Sequence, residues 1–370
     1  MKGYYLFAPV EPGNVGPGSG VERKVRSQHK ALSEYVDCEL VIFPPAEYSG
    51  SAVEKVVRRL PFTAAWRKWQ YRGEFDGADF LYIRQVYHDA SFVRYLKAIR
   101  ERNPKIKVIY EVPTYPYDNE TSRSLSRLSF DVKERVNRLR AAKYMDRIVT
   151  FYGQDKIWGV PCICIMNGYD FSAVQLPERK PDGTIHLVSV STTAPWHGYD
   201  RLIAGMHEYY QNGGTENIVF HMVGNVMPEH REMVERFGLQ EHVIFYGKLP
   251  ADELGPIYQK ATLGIDILAG HRRDSKISST LKSREYSAYG LPILTACPVD
   301  YLPEDYKYLI LVPDEEDALD VNTIVEAYHN IYNDQKCSKI AEEIRAFAQA
   351  RCDMSITMKP VAEWLIQSTK

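Results

Sequence analysis

The sequence lacks any long apolar run, since no stretch of about 18 uncharged apolar residues occurs in its 370 residues. The N-terminus leads directly into a strand pattern rather than a cleavable signal sequence, so we expect a cytoplasmic protein. The six cysteines are scattered and include no CxxC pair. This spacing argues against a zinc site and a disulfide framework, and predicts reduced, mostly buried thiols.

The sequence also has little net charge, −2 in total, but the charge is unevenly distributed. The first 165 residues hold roughly 27 Lys and Arg against 19 Asp and Glu, so the remainder is acidic. A basic half favours a negatively charged surface or substrate facing that half. No nucleic-acid recognition motif accompanies the charge, so nucleic acid is not an expected partner.

Apolar strand patterns alternate with helical segments along the whole chain. Five strands are predicted in the first half, at GYYLFAPV, CELVIFPP, DFLYIRQ, KVIYEVP and DRIVTFY. Six more are predicted in the second half, at IHLVSVS, NIVFHMVG, HVIFYG, LGIDIL, PILTA and YLILVP. Two helices, around 317–350 and 355–367, close the chain. This alternation is typical of α/β proteins whose parallel sheets are covered on both faces.

The stretch from Asp274 to Ala296 combines a polar loop with a helix that is predicted to begin at about Leu281. Three residues with helix-capping hydroxyls precede that start: Ser278, Ser279 and Thr280. The amides of the first helical turn can also hold an anion. Lys282 and Glu285 are three residues apart and share a helix face, so one could meet phosphate and the other sugar hydroxyls. A capped surface helix with an ion pair fits the same pattern.

Polar residues follow two of the predicted strands in the first half, where ligands of parallel sheets collect. Arg84 follows the third strand, and the loop EVPTYPYDNE follows the fourth. The loop carries four residues of interest: Glu111, Tyr115, Tyr117 and Asp118. Its prolines and tyrosines suit either carbohydrate stacking or a rigid connector. The glycine-rich loop around Gly18 could approach a ligand or be a plain flexible loop.

A basic and aromatic segment, VEKVVRRLPFTAAWRKWQYRG, joins the second and third predicted strands. Its cations, from Lys55 to Arg72, interleave with Leu60, Phe62, Trp66 and Trp69. Such a segment could rest on an anionic bilayer surface with its tryptophans at the level of the headgroups. It could also be an ordinary solvated helix whose aromatic residues face the core.

Five motifs resemble the retaining glycosyltransferases of the GT-B fold, family 4, and more closely those that build bacterial capsule and other surface polysaccharides. They are MNGYD (166–170), WHGYDRLI (196–203), MVGN (222–225), VIFYGKLPADEL (243–254) and LKSREYSAYGLPI (281–293). The resemblance implies two doubly wound, Rossmann-like domains facing across a cleft. Residues 1–168 would bind the acceptor, residues 169–354 would bind a nucleotide sugar, and a helix at 355–370 would pack back on the first domain.

The resemblance also implies residue roles on the donor side. The second glutamate of the family signature, which accepts from the nucleotide ribose, matches Glu285. The first falls at Ile277, which leaves Asp274 or the amides of 278–280 to hold the sugar. The family's diphosphate-binding Lys matches His197 and its Arg falls at Thr192, so Lys282, Arg272 or Arg273 would supply the charge. Five further positions are expected to bind the donor: Gly18, Ser191, Gly224, Tyr246 and Gly247.

On the acceptor side, Asp118 or Glu111 would orient the attacking hydroxyl, and Arg84, Tyr115 and Tyr117 would contact the acceptor. The implied reaction moves a hexosyl unit from a nucleotide-diphosphate sugar, a UDP-sugar rather than a GDP-sugar, to a glycan or lipid-diphosphate-linked oligosaccharide. The site must stabilise a leaving diphosphate and exclude water. No metal or other cofactor is expected, because no paired-aspartate motif is present.

The resemblance further implies a monomer or homodimer, peripheral at the inner face of the cell membrane. Two other functions remain open. A nucleotide-sugar epimerase or hydrolase of the same fold would act on the donor without an acceptor. A non-catalytic partner subunit is suggested by the three positions that lack the family's charges: Thr192, His197 and Ile277.

Overall fold

The computed structural model describes residues 1–9, 20–44, 51–60, 62–115, 125–151, 153–274, 276–333 and 336–368, with the backbone alone at 125–127. The chain divides into two compact units. Unit 1 comprises Met1–Ile165 and Thr357–Lys370, and unit 2 comprises Met166–Ile356. Each unit has its own hydrophobic core, packed against its own sheet.

The strands of unit 1 are β1 (Lys2–Phe7), β2 (Asp37–Ile42), β3 (Phe80–Arg84), β4 (Lys107–Val112), β5 (Arg147–Thr150), β6 (Lys156–Ile157) and β7 (Val160–Cys164). They form one sheet in the order β2-β1-β3-β4-β5-β7-β6, parallel except between β6 and β7. β3 is buried at every residue, as expected for a central parallel strand that is covered on both faces.

The helices described in unit 1 before its last strands are α1 (Gly20–Ser33), α2 (Ala52–Val57), α3 (Ala90–Arg102) and α4 (Leu125–Ala142). Asp89 caps α3, accepting from the amides of Ser91 and Phe92 at 2.8 and 3.1 Å. The same carboxylate accepts from the Ala65 amide at 2.7 Å, which ties the segment after α2 to α3.

The strands of unit 2 are β8 (Thr184–Val190), β9 (Asn217–Val223), β10 (Val243–Gly247), β11 (Leu263–Ile265), β12 (Ile293–Thr295) and β13 (Leu309–Leu311). Their order is β10-β9-β8-β11-β12-β13, and every neighbouring pair is parallel. All six carboxyl ends therefore lie at one edge of this sheet, which is where ligands of such sheets bind.

The helices of unit 2 are α5 (Tyr199–Gln211), α6 (Pro228–Phe237), α7 (Gly255–Lys260), α8 (Leu281–Ala288), α9 (Val321–Tyr332) and α10 (Cys337–Cys352). The last helix, α11 (Met354–Ser368), belongs to unit 1 from Thr357 onward. There the Arg147 guanidinium lies 5.0 Å from the Trp364 ring centre. Within the described residues, every helix is either too short or too polar to cross a bilayer.

All eleven predicted strands are present, but two strands were not predicted and one predicted helix is two. The sequence did not reveal β6 and β7, which are joined at Trp158 and Gly159, both with positive φ. The region around 317–350 contains two helices rather than one. The first begins at Val321 because the Asp320 carboxylate accepts from the Asn322 amide at 3.0 Å and caps it. All six cysteines are free, and three are buried.

The basic segment after β2 also differs from the expectation. Only Ala52–Val57 is helical. Trp69 is 7% exposed and packs against Phe92 and Tyr95, with ring centres 5.0 and 5.1 Å apart. Trp66 lies 3.8 Å beneath the Arg58 guanidinium. Trp69 is therefore packed in the core and cannot lie among lipid headgroups, whereas Trp66 is half-buried. Contact of the rest of this segment with lipid stays a prediction.

Candidate functional site

The loops that follow β8 and β9 are held close together at the carboxyl edge of unit 2. Gly224 has a φ of +118°, and a Cβ there would lie 2.0 Å from the Ser191 carbonyl oxygen. The Thr193 amide donates to the Asn225 carbonyl at 2.8 Å, and the Met227 amide donates to the Thr193 hydroxyl at 2.7 Å. Position 224 therefore requires glycine, because a side chain would push the two loops apart.

A second close approach brings the loop before α5 against the segment after β11. Gly198 has a φ of +65°, and a Cβ there would lie 2.8 Å from the Ala269 nitrogen. The amides of Leu268 and Ala269 donate to the carbonyls of His197 and Trp196 at 3.0 and 3.3 Å. These bonds place His197 beside the end of β11.

Asp266, directly after β11, is the centre of the polar cluster at this edge. Its fully buried carboxylate accepts from the hydroxyls of Ser278 at 2.5 Å and Thr280 at 2.7 Å. The Lys282 ammonium lies 3.5 Å from this carboxylate and donates to the Asp266 carbonyl at 3.1 Å and the Tyr199 hydroxyl at 3.2 Å. A buried carboxylate needs such compensation, and it draws three predicted donor-binding residues together.

The helix of this cluster begins at Leu281, as predicted. Thr280 is its N-cap, because the Thr280 hydroxyl accepts from the Ser283 amide at 3.3 Å while donating to Asp266. One hydroxyl therefore joins the first turn of α8 to the end of β11.

Hydrogen bonds fix the loop before α8 from both sides. Ser278 pairs through its amide with the Pro298 carbonyl at 2.7 Å and through its carbonyl with the Asp300 amide at 3.1 Å. The Ser279 hydroxyl donates to the Asp300 carboxylate at 2.8 Å, and the Asn167 side chain donates to the Ser279 carbonyl at 2.8 Å. The Ser278 amide thus already donates to a carbonyl of unit 2 and is not available to hold a sugar.

Arg284 stabilises the same loop from its buried side. This fully buried guanidinium donates to the carbonyls of Asn167 and Thr280 at 2.8 and 2.9 Å, and to the Asp300 carboxylate at 2.5 Å. A buried arginine with several satisfied donors supports the loop rather than meeting a ligand.

Lys282 and Glu285, predicted to share a helix face, have different environments. Lys282 is 9% exposed, whereas Glu285 is half-buried. Burial raises the pKa of Tyr258 on α7, and the Glu285 charge raises it further. Glu285 is the only acidic residue of α8 and keeps part of its surface in solvent.

His197 is held as a neutral imidazole beside this cluster. It is 8% exposed, and its Nδ1 accepts from the Ala194 amide at 3.2 Å. Burial lowers the pKa of His197 to about 2, and the charges of Lys282 and Arg273 contribute. Because Nδ1 is an acceptor, the proton of the neutral ring is on Nε2. The position matched to the family's lysine therefore offers a neutral donor.

The two arginines proposed to replace the missing charges differ in availability. The Arg272 guanidinium pairs with the carboxylates of Asp200 at 2.8 Å and Glu316 at 2.5 Å, so its charge is compensated. Arg273 is exposed, and its guanidinium lies 5.2 Å from the Trp196 ring centre. Arg273 is the better candidate for contact with an anion.

Asp274 and Ile277 lie between these arginines and α8. Asp274 is exposed, with a φ of +54°, and it ends a short 3-10 turn at Gly270–Arg273. Ile277 is 60% exposed. The position that carries the first signature glutamate in the resembling family thus presents an apolar side chain to solvent.

The remaining donor-side predictions fall on the ends of β8 and β10. Ser191 is half-buried, with its hydroxyl 3.3 Å from that of Tyr199, and Thr192 is exposed. The Gly247 carbonyl accepts from the Gly224 amide at 2.7 Å.

The Tyr246 hydroxyl pairs instead with His221 at 2.8 Å, and His221 pairs with His186 at 2.9 Å. His186 in turn pairs with Asp182, before the start of β8, at 3.1 Å. This series of hydrogen bonds leads away from the carboxyl edge of the sheet and occupies the Tyr246 hydroxyl. We therefore do not assign that hydroxyl to the binding of a nucleotide sugar.

In unit 1, Arg84 and Glu111 form a closed internal network. Arg84 is 8% exposed and donates to the Glu111 carboxylate, which is fully buried. Glu111 also accepts from the Tyr82 hydroxyl at 2.6 Å and the Gln28 side chain at 3.1 Å. The carboxylate is thus occupied within the core, and we no longer assign Glu111 or Arg84 contact with an acceptor.

Tyr115 is half-buried and packs against the unit 1 core. Three predicted residues lie outside the described residues: Gly18, Tyr117 and Asp118. Among the residues that are described, no group of three or more His, Cys, Asp or Glu side chains is arranged to hold a metal ion.

Three residues that organise the unit 2 edge were not predicted: Tyr199, Asp266 and Arg284. A signal for Asp266 was present, because a lone carboxylate in the apolar run LGIDIL must be paired if the strand is buried. Arg284 gave no such signal, since its neighbours in sequence are polar.

No family model matches the sequence, and no curated protein matches it. Solved structures do resemble it. HepE from Anabaena, in complex with UDP, superposes with a TM-score of 0.62 at 15% identity, over 99% of this chain and 100% of that chain. Sucrose-phosphate synthase from Thermosynechococcus elongatus gives 0.62 at 14% identity, over 100% of both chains.

An α-glucosyltransferase in complex with UDP-glucose and DNA gives a TM-score of 0.58 at 12% identity, over 99% of both chains. At these identities the likeness shows the fold. The predicted fold class is confirmed: the chain is an α/β protein of the GT-B fold, with two Rossmann-like domains.

Proposed function

We propose that the chain is a retaining glycosyltransferase of the family 4 type. It moves a hexosyl unit from a nucleotide-diphosphate sugar, a UDP-sugar rather than a GDP-sugar, to a glycan or lipid-diphosphate-linked oligosaccharide in surface polysaccharide synthesis. The carrying observation is the cluster around Asp266, which fixes Lys282 at the start of α8 with the half-buried Glu285 one turn further on. Similar folds in complex with UDP and UDP-glucose support a nucleotide sugar as donor.

On the donor side, Glu285 accepts hydrogen bonds from the ribose hydroxyls, since it is the accessible carboxylate of α8. Lys282, Arg273 and the first-turn amides of α8 face the diphosphate. A leaving dianion needs roughly two positive charges or their equivalent in helix-end amides. The Nε2 proton of His197 adds a neutral donor, and Gly224 lets the backbone approach the ligand.

In the reaction, the bond between the anomeric carbon and the diphosphate oxygen breaks as an acceptor hydroxyl attacks from the same face. The departing phosphate takes the hydroxyl proton, so the configuration is retained without an enzymatic nucleophile. The cations and helix amides named above compensate the leaving charge, and no metal is invoked. Asp118 remains the proposed residue that orients the acceptor.

The donor assignment is tested by thermal shift with UDP, GDP and their sugars. A true donor nucleotide at about 100 times its Kd should raise Tm by about 5 °C. Glu285→Gln should remove this shift and abolish transfer, with the circular dichroism spectrum unchanged. Glu232→Gln, an exposed carboxylate on α6, is the matched control. Full turnover by Glu285→Gln would exclude the ribose-binding role.

A non-catalytic partner subunit is the second candidate. It is favoured by the neutral His197 and the exposed Ile277, where the resembling family has charged residues. Such a protein would show the nucleotide-dependent Tm shift without releasing nucleoside diphosphate when acceptor is present. Conversion of the nucleotide sugar in the absence of acceptor would instead indicate an epimerase or hydrolase.

A further inference from the structure

The outer side of α4 carries an apolar stripe that faces solvent. Leu128, Val132, Val136 and Leu139 are each 52–57% exposed. At 100° per residue, these four positions fall within about 80° of the helix circumference and span about 16 Å. An ordinary surface helix turns such a stripe towards the core, whereas here no described residue covers the stripe.

A second group of exposed apolar side chains lies on α2 and the residues after it: Val53, Val56, Val57, Leu60 and Phe62. Val53 and Phe62 are each 74% exposed. Together the two groups hold nine of the nineteen exposed large hydrophobic side chains in the described part of the chain. They therefore form a concentration rather than scattered single residues, which marks an interaction surface.

The first group lies beside the second because the residues that follow α2 pack against α4. The Lys133 ammonium on α4 donates to the Arg58 carbonyl at 2.8 Å and to the Thr63 hydroxyl at 3.1 Å. The Trp66 ring stacks on Phe130 of α4, with centres 5.7 Å apart. These contacts hold the residues that follow α2 against α4 within unit 1.

The exposed charges on these elements are cationic: Lys55, Arg59, Arg135 and Arg140. The acidic side chains beside them are less exposed than these cations. Glu134 is buried and pairs with His88 at 2.7 Å, while Glu54 and Asp131 are half-buried. Two copies of such a face would repel each other, whereas an anionic surface would attract it.

We infer that this face of unit 1, formed by α2, Phe62 and the outer stripe of α4, docks on an anionic lipid bilayer. The apolar side chains enter the boundary between headgroups and acyl chains, and the cations lie against lipid phosphate. Trp69, which is packed in the core, takes no part in this surface. The inference does not depend on the sugar-transfer chemistry.

The test is co-sedimentation of the full chain with vesicles of phosphatidylcholine alone or with about one-third phosphatidylglycerol. We expect binding to the anionic vesicles that weakens in high salt. The variant Val132→Ser, Val136→Ser, Leu139→Ser should bind at least tenfold more weakly. Arg135→Gln with Arg140→Gln should lose the preference for anionic lipid.

Controls are Ile356→Ser, an exposed aliphatic residue in unit 2, and Lys105→Gln, an exposed cation in unit 1 away from this face. Equal partition into neutral and anionic vesicles, or full binding by the triple serine variant, would overturn the proposal. So would a dimer seen by light scattering that the triple variant loses, because the occupant would then be a second copy. The Tm shift with nucleotide reports separately on the donor site.

Discussion

The carboxyl edges of the two sheets place similar residues in similar positions and use them differently. In unit 1, Arg84 ends β3 and Glu111 is the last residue but one of β4, and hydrogen bonds within the core enclose both. In unit 2, Asp266 is equally buried, but its partner Lys282 stands in a helix next to the accessible Glu285. The difference is one of exposure: the pair in unit 1 is enclosed, whereas the pair in unit 2 adjoins a carboxylate that keeps part of its surface in solvent.

The largest effect should come from opening the closed network. Arg84→Met leaves the Glu111 carboxylate buried without its cation, which should lower the free energy of unfolding by about 3–5 kcal/mol. Urea denaturation measures this loss, with Arg94→Met, at an exposed position on α3, as the control. The Tm shift with nucleotide should persist. If Arg84→Met kept its stability and lost ligand binding, the two edges would be alike.

A smaller loss is expected from Asp266→Asn. The amide cannot balance the Lys282 ammonium or accept equally from Ser278 and Thr280, so the free energy of unfolding should fall by about 2–3 kcal/mol. Here the nucleotide-dependent Tm shift should fall as well, unlike in the Arg84 variant. Asp305→Asn, on the surface of unit 2, is the control. Unchanged nucleotide binding would separate the Asp266 cluster from the donor site.

Thr280→Ala should lower the free energy of unfolding by about 1 kcal/mol, because it removes the N-cap of α8 and the hydrogen bond that the Thr280 hydroxyl donates to Asp266. Thr280→Ser keeps the hydroxyl and should recover most of that stability. Comparison of the Tm values of the two variants separates the effect of losing the hydroxyl from the effect of losing the methyl group. Equal loss in both variants would assign the effect to packing.

Two further effects depend on pH. The folded-state pKa of His197, about 2, lies below the ordinary value of 6.5. The unfolded chain therefore binds a proton that the folded chain does not, and this stabilising contribution is present above pH 6.5 and lost as pH falls. His197→Asn should flatten the decline of stability in acid.

His271 provides a contrast of opposite sign. Its hydrogen bonds to Asp314 and Glu316 raise the pKa of His271, so its contribution is present at low pH and is lost as pH rises through the raised pKa. His271→Asn should therefore lower stability most in acid, and only slightly, since this exposed pair is screened by solvent. Urea midpoints between pH 4 and pH 8 measure both variants. Parallel profiles for the two variants would contradict the assignment.

The strands and the start of α8 could be predicted because apolar periodicity and capping residues are local signals. The burial and the partners of individual charged side chains could not be predicted. Arg84 and Arg284 look like surface residues in sequence, yet distant partners bury them: Glu111 for one, and Asn167 and Asp300 for the other. Likewise, the Tyr246 hydroxyl pairs with His221 on the neighbouring strand, a partner that the local sequence does not indicate.

The pairing of Lys282 with Asp266 also limits the distance over which this edge of unit 2 can attract a charged ligand. Seen from a distance, the ammonium and carboxylate form a dipole, whose field decays faster than that of a single charge. Unit 2 lies in the acidic part of the chain, so it offers an approaching dianion little long-range attraction. The rate constant for association of a nucleotide with this edge should therefore depend only weakly on ionic strength. Short-range contacts, rather than long-range attraction, would then determine which nucleotide binds.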